Sequence, residues 1–547
     1  MMVFGFLEQF LVDYYYFYLL IIFLLIILLC YLNLHSFKQE FKNIRKLTLI
    51  FLILIFLLAI FLRLFFIEHI FQVYNDGFAL INVGEEFALN QKFAFCNSRV
   101  TIDCLSYYYN PWPPVMPFIY SLLFQTFGIL NSVIFFFNSI IGSLTVVLLF
   151  FLTYTIFKNE LVSLFAAFVL AVHPIHLNLS GSAALGIGSL FFLSFTLISF
   201  FVYLRKKTFS TGLLFFLSFL FFSQIRIENI FLIFFLIPFY LFSEKKAKFE
   251  KQFGKLLLVI ILFFVLFSPL IANTLVGVDK SVPNWTLSLK DHYLSLKENF
   301  KSNIIFLFKS QSTHFIISFL FIVGFIVSFK DNRMLPFMYW LVFLFFFISS
   351  YSGGPFSLGS NYHYVLIFFL PFIVISAKGF QIMLNFLAEK QKVILLLVIL
   401  FILLMWPFLQ KDFIFFHEAH LHDKYIFVSN ITHSFDSNCL FFYNSANVYD
   451  NSLTFSAITN HRVFDTATFR HSSLGVKQDY LLQIKRVDCK KFFSEQYKSS
   501  EDKTIFLDIW GLTLKGTLES VHRFSNSSFI FVYDLSNDLN VVSGAVD

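Results

Sequence analysis

The chain has 547 residues, 58% of them hydrophobic and 13% charged, with a mean hydropathy of +0.76. A soluble domain carries about twice that share of charge, so the composition excludes a soluble protein and reads as an integral membrane one. The net charge of +7 is small for this size and sits mostly in short loops, which gives no footing for a nucleic-acid partner. The 86 phenylalanines read as a bias that fills lipid-facing positions where leucine would serve by the same apolar burial.

Apolar runs of about 20 residues, enough to cross a bilayer, recur from Tyr15 to Leu409. The expected spans are 15–33, 47–66, 131–156, 160–178, 186–204, 211–223, 227–243, 255–275, 311–329, 335–350, 362–383 and 392–409, about twelve helices. The sixth and seventh are short and read equally as one re-entrant pair. Basic residues set the orientation. Lys38, Lys42, Arg45 and Lys46 follow the first span, and Arg205, Lys206 and Lys207 the fifth. Lys245, Lys246, Lys248 and Lys251 follow the seventh, Lys330 and Arg333 the ninth, Lys390 and Lys392 the eleventh. Every second loop is basic and is assigned to the cytoplasm. Loops 67–130 and 276–310, with both termini, are expected outside. Met1 to Gln9 lacks a basic leader, and no cleavable signal peptide is expected.

The first long polar stretch runs from Phe71 to Pro117 and carries Asp76, Glu85 and Glu86, two cysteines, Tyr107, Tyr108, Tyr109 and Trp112. Residues 113–128 (PPVMPFIYSLLFQTFG) are apolar but short and begin with prolines, the pattern of a helix lying along the outer membrane surface. After Leu409 the composition changes. Residues 410–547 hold β-type runs such as YIFVS, CLFFYN, TIFLDIW and FIFVYDL, expected strands of a small α/β or α+β domain. The fold class read from these elements is an all-α polytopic membrane bundle with that extracytoplasmic domain. Residues 1–46 form an additional N-terminal helix and basic loop, 47–409 the bundle with its outer loop 67–130, and 410–547 the soluble domain.

Five cysteines are present. Cys30 lies in a span. Cys96 and Cys104, and Cys439 and Cys489, fall as two local pairs in segments assigned to the outside, where disulfides persist; two pairs of free thiols are the alternative.

From Arg63 onward the order of features resembles the C-type (GT-C) glycosyltransferases. The likeness is greatest to the group that includes the dolichyl-phosphate-mannose protein mannosyltransferases and the lipid A aminoarabinose transferases. The residues that carry it are Asp76 in YNDGF, PPVMP at 113–117 with FG at 127–128, SQIRIENIFLIFFLIP at 223–238 and YHYVLIFFLPFIVISAKGF at 362–380. Gly77 follows Asp76 where members often have a second acid. Asn361 and His363 flank Tyr362 where many have an arginine before the tyrosine. The resemblance covers 63–400; the first helix is an addition to it, and the tail matches nothing within it.

The resemblance implies transfer of a sugar, with inversion, from a polyprenyl-phosphate donor to a protein, lipid or glycan acceptor on the extracytoplasmic face. The enzyme would sit in the cytoplasmic membrane. Such a transfer needs a base for the acceptor hydroxyl, and a partly desolvated carboxylate at the membrane boundary suits it. Asp76, roughly ten residues past the second helix, stands where that base is expected; a turn or helix cap built on Asn-Asp-Gly is the plainer reading. Glu85 and Glu86 are second acid candidates, for the acceptor or for a divalent cation with Asp76, or simply a wet helix face. No cofactor is required by the pattern, and the metal question stays open. Asp103 reads as structural.

A phosphate leaving group calls for cations. Arg226, with Glu228 two residues on, lies in a strongly apolar setting where a charge is costly and marks a site, or else snorkels to the outer interface. His363 and Lys280 are the other phosphate candidates; His173 and His176 of AVHPIH read as structural interfacial residues. Tyr107, Tyr109 and Trp112 suit sugar or acceptor stacking, as they suit an interfacial aromatic belt. His417, His420, His422 and Asp423 have metal-compatible spacing with no second ligand cluster, and read as a juxtamembrane collar. The sequons at Asn284, Asn430 and Asn526 decide nothing. Two rivals remain. A lipid-linked sugar transporter or flippase would need two matched halves with broken helices, which the spans lack. A membrane-anchored adhesion or assembly protein would leave the polar loop without a task.

Overall fold

The structure is a computed structural model. It describes residues 2–69, 74–99, 104–108, 113–233, 235–236, 239, 269, 289–308, 313–331, 333–349, 366–387 and 389–410, and the tail strands 440–444, 462–465, 490–496, 504–509, 512–523 and 529–536. The chain divides into two compact units. One is 1–72, 113–116 and 130–417; the other is 73–112, 117–129 and 418–547.

In chain order the helices are α1 (Met2–Leu32), α2 (Leu34–Phe41), α3 (Lys46–Phe61), α4 (Tyr74–Asn90), α5 (Val115–Phe127), α6 (Asn131–Phe157), α7 (Glu160–Val172) and α8 (Pro174–Ser180). They continue with α9 (Leu185–Lys206), α10 (Phe209–Ser223), α11 (Leu289–Phe308), α12 (Phe315–Ser328), α13 (Leu335–Ser349), α14 (Leu366–Asn385) and α15 (Glu389–Leu409). A π-helical turn, Leu62–Phe66, extends α3, and a 3-10 turn, Ile227–Leu232, follows α10. Among the described residues, five helices are long and apolar enough to cross a membrane: Gln9–Leu32, Lys46–Phe66, Asn131–Phe157, Leu185–Lys206 and Leu366–Asn385. The pair α7 and α8 passes the same test but bends by 58°. Phe209–Ser223, Phe315–Ser328, Leu335–Phe347 and Ile394–Leu409 are shorter apolar helices at expected spans. The expected span 255–275 falls almost wholly outside the described residues.

The loops after α1, α6 and α9 meet through Glu40 with Lys158 and Arg205, Gln39 with Lys206, and Arg45 with Glu160 at 2.6 Å. At other helix ends, after α3 and α8, the Glu68 carbonyl would lie 2.6 Å from a Cβ added at Gly181. Helices α12 and α14 touch backbone to backbone: a Cβ at Gly379 would lie 1.9 Å from the Leu320 carbonyl, and one at Gly324 2.0 Å from that of Ile375. Small residues at such crossings let apolar helices associate by van der Waals contact alone.

The second unit is built on an eight-stranded mixed sheet. Its strands are β1 (Phe95–Arg99), β2 (Cys104–Tyr108), β3 (Leu440–Asn444), β4 (Arg462–Asp465), β5 (Lys490–Gln496), β6 (Thr504–Ile509), β7 (Leu512–Arg523) and β8 (Phe529–Ser536), in the order β2-β1-β4-β3-β5-β8-β7-β6. β3 runs parallel to β4 and β5; the other pairings are antiparallel. Three of the four tail runs singled out in the sequence are β3, β6 and β8; YIFVS lies outside the described residues. The hairpin β1–β2, from the outer loop, joins the tail strands through Ser98 opposite Phe464. The loop and the tail, far apart in sequence, are one sheet.

Candidate functional site

The segment read as a polar loop is largely regular. Asp76 lies in the first turn of α4, ten residues after the π-helical turn ends at Phe66. One face of α4 is apolar, with Leu80, Ile81, Val83 and Phe87 all buried. Gly84 allows a close approach to α5, since a Cβ there would stand 3.2 Å from both the Pro117 carbonyl and the Tyr120 Cβ. Asn82, Glu85 and Glu86 share this packed environment at 4%, 9% and 0% exposure. The wet-face reading of the glutamates is therefore corrected: the spacing 82, 85, 86 puts all three on one helix side, and that side is covered. Glu86 Oε2 accepts a hydrogen bond from Asn90 Nδ2 at 2.9 Å, one turn on.

Tyr107 lies on β2, opposite Cys96 of β1. Cys104 pairs with Arg99, so the two cysteines are on neighbouring strands but offset by about three residues, roughly 10 Å along the strand. A disulfide needs Cα atoms within about 7 Å, so a bridge between them would require the hairpin to slip. Cys439 and Cys489 lie outside the described residues; the residues that follow them, Leu440 and Lys490, are register partners on β3 and β5. Tyr109, Trp112, Asp103, Lys280, His363 and the histidines of 417–423 also lie outside the described residues.

Arg226 belongs to the first unit. The chain leaves α10 at Ser223, passes through Gln224 (φ −92°, ψ 1°) and becomes extended at Arg226 (φ −150°, ψ 140°) before the 3-10 turn. The expected gap between the sixth and seventh spans is this break. Arg226 is 8% exposed, and its Nε and Nη2 each lie 3.5 Å from a carboxylate oxygen of Glu228. The turn is held from within by Asn229, which donates to the Phe222 carbonyl at 2.9 Å and accepts from Ser189 at 3.1 Å.

A second polar break lies at His173, where His173 and His176, expected to be structural, are 2% and 0% exposed. The residue before a proline avoids helical backbone, and His173 is extended (φ −68°, ψ 119°) with Pro174 opening α8. Proline brings no N–H, so the Leu170 carbonyl loses its helical partner. Arg63, itself fully buried, supplies the replacement. Its guanidinium donates to the carbonyls of Ala59 (3.0 Å), Ala171 (3.2 Å) and Leu170 (3.4 Å), to Ser180 Oγ (3.2 Å) and to His176 Nδ1 (2.5 Å). The donation to Nδ1 fixes His176 as the neutral tautomer with its proton on Nε2. Gly142 makes room, since a Cβ there would meet Ser180 Oγ at 2.4 Å and Arg63 Nε at 3.1 Å. The sequence reading assigned Arg63 no part; an arginine inside the apolar run 47–66 was the available signal.

Residues 112–272 match the family model described as dolichyl-phosphate-mannose-protein mannosyltransferase. The match contains PPVMP, both breaks and Arg226, and not Asp76. Among solved structures, the crystal structure of ArnT from Cupriavidus metallidurans bound to undecaprenyl phosphate superposes with a TM-score of 0.56 at 10% identity, over 88% of this chain and 97% of that one. Its apo state gives the same values. No curated protein matches significantly by sequence. The GT-C resemblance drawn from the ordered motifs is borne out, and the chain has an ArnT-like membrane fold.

Proposed function

We propose that the chain is a membrane glycosyltransferase that moves a sugar from a polyprenyl-phosphate carrier to a hydroxyl acceptor on the extracytoplasmic face, with inversion. The observation that supports it most is the fold shared along nearly the whole length of ArnT, a protein crystallised with undecaprenyl phosphate, together with the mannosyltransferase family match over 112–272. In this reading Asp76 takes the acceptor proton as its oxygen attacks the anomeric carbon. The bond from that carbon to the phosphate oxygen breaks, and the carrier leaves as polyprenyl phosphate. Arg226 binds that phosphate, with His363 and Lys280 as further cations. Tyr107, Tyr109 and Trp112 contact sugar or acceptor. Glu85 and Glu86 are buried acids on the same helix as Asp76, suited to fixing the acceptor side. Among the described residues no group of three or more His, Cys, Asp or Glu is placed to hold a metal ion, and no step here uses one.

The test is Asp76→Asn in purified, lipid-reconstituted protein, assayed for release of polyprenyl phosphate from a panel of polyprenyl-phosphate sugars. The change keeps size and removes the base. A fall of about a hundredfold or more is expected, the contribution of a general base. Equal turnover would remove Asp76 from the reaction, and directional transport without turnover would replace transferase by transporter.

A further inference from the structure

The turn that carries Arg226 is tied to the first membrane helix. Gln224, two residues before Arg226, is fully buried and connects three segments. Its Oε1 accepts a hydrogen bond from the Tyr15 hydroxyl of α1 at 2.8 Å, spanning 209 positions of sequence. Its Nε2 donates to the Leu220 carbonyl at 3.2 Å, in the last turn of α10. Its backbone carbonyl accepts from the Val115 N–H at 3.4 Å, in the Pro-Pro segment. Tyr15 is 2% exposed; its ring stacks on Tyr18 at 5.6 Å, and the Tyr18 hydroxyl also bonds Gln224. A buried amide in apolar surroundings has no water to exchange with, so such bonds hold one geometry. Two tyrosines from a neighbouring helix are more than a buried glutamine needs for packing alone.

We infer that Tyr15 is a positioning residue for the donor phosphate: through Gln224 it fixes the turn on which Arg226 is presented. Tyr15 has this role only if Arg226 binds the phosphate, as proposed above. The first helix is then part of the donor site, although it lies outside the stretch where the sequence carries the family resemblance. Tyr15→Phe keeps the ring and its packing and removes the hydroxyl, so its effect falls on phosphate recognition and not on how the lipid chain is received.

The experiment compares binding of undecaprenyl phosphate and of undecaprenol, the same lipid without phosphate, to full-length protein in lipid nanodiscs. The variants are Tyr15→Phe, Tyr15→Phe with Tyr18→Phe, Arg226→Ala, Arg226→Ala with Tyr15→Phe, and the control Tyr14→Phe, an exposed hydroxyl on the same helix. Tyr15→Phe is expected to weaken undecaprenyl phosphate roughly three- to tenfold, the usual worth of one hydrogen bond, and the double tyrosine variant more. Undecaprenol should bind every variant as it binds wild type. On the Arg226→Ala background the tyrosine change should add nothing. Weakening of both lipids alike would make Tyr15 a packing residue and overturn the inference. Wild-type binding by both tyrosine variants while Arg226→Ala fails would overturn it and leave Arg226 standing. Wild-type phosphate binding by Arg226→Ala would end both.

Discussion

Among the described residues of the first unit, helices break beside Arg63 and again at Arg226, and the two breaks are secured by different groups. At the Val172–Pro174 break, Arg63 is saturated: three carbonyls, a serine and a histidine take its donors. At the Ser223–Ile227 break, Arg226 faces Glu228 through two contacts at 3.5 Å, long for a charge-assisted bond. The turn around it is instead fixed by Gln224 and Asn229. A guanidinium whose donors are spent on carbonyls left by a proline is a structural staple. At the other break the turn itself is tied down, by Gln224 and Asn229, as the proposed phosphate-binding role of Arg226 would require.

The sharpest way to break the comparison is Arg63→Met. The change fills similar space but leaves the carbonyls of Leu170 and Ala171 buried without the donor that replaced their helix. Each buried hydrogen-bonding group left unsatisfied costs about 1–3 kcal/mol, so a large drop in thermal unfolding temperature is expected in detergent or nanodiscs. A variant that unfolds like wild type would mean the break is held by packing alone. Glu228→Gln probes the other side. Its contact to Arg226 is long, so stability should change by less than about 1 kcal/mol. With the competing carboxylate gone, undecaprenyl phosphate should bind more tightly, roughly two- to tenfold, with undecaprenol unchanged. Weaker phosphate binding would show that Glu228 orients Arg226 instead of competing for it.

The Arg226 turn was legible in the sequence because a charged pair in an apolar run has few innocent explanations, and the break there follows from SQIRIEN. The Arg63 staple was not. It depends on Pro174, more than a hundred positions away, withdrawing an N–H from one carbonyl, and no local pattern joins the two. The spans were readable from hydropathy, yet several described helices are shorter than the runs that suggested them. Glu85 and Glu86 misled for a simple reason: adjacent acids look solvated, and only their burial in the folded unit shows that their side is covered. Strands β3, β6 and β8 announced themselves by composition. That β1, from the loop after α3, would lie beside β4 of the tail is a long-range pairing, and period-2 patterns say nothing of partners.

The smallest effect comes from His69, which borders the staple. Its ring lies 3.2 Å from Ser139 Oγ, and Ser139 Oγ in turn donates to the Ser180 carbonyl at 3.1 Å, beside the oxygen that receives Arg63. Burial holds His69 below the ordinary imidazole range, and a hydrogen bond with the Arg63 backbone offsets this only in part. A histidine with a lowered folded pKa binds its proton more readily when unfolded. Its contribution to stability is therefore intact above about pH 6.5, the unfolded value, and falls away as pH drops through it. The ring is only partly buried, so screening keeps the effect below about 1 kcal/mol. Unfolding temperatures of wild type and His69→Asn, measured from pH 8 down to about pH 5, should converge as the pH falls. Parallel curves would mean that protonation of His69 costs the fold nothing, and that the staple's protection from charge ends at Ser139.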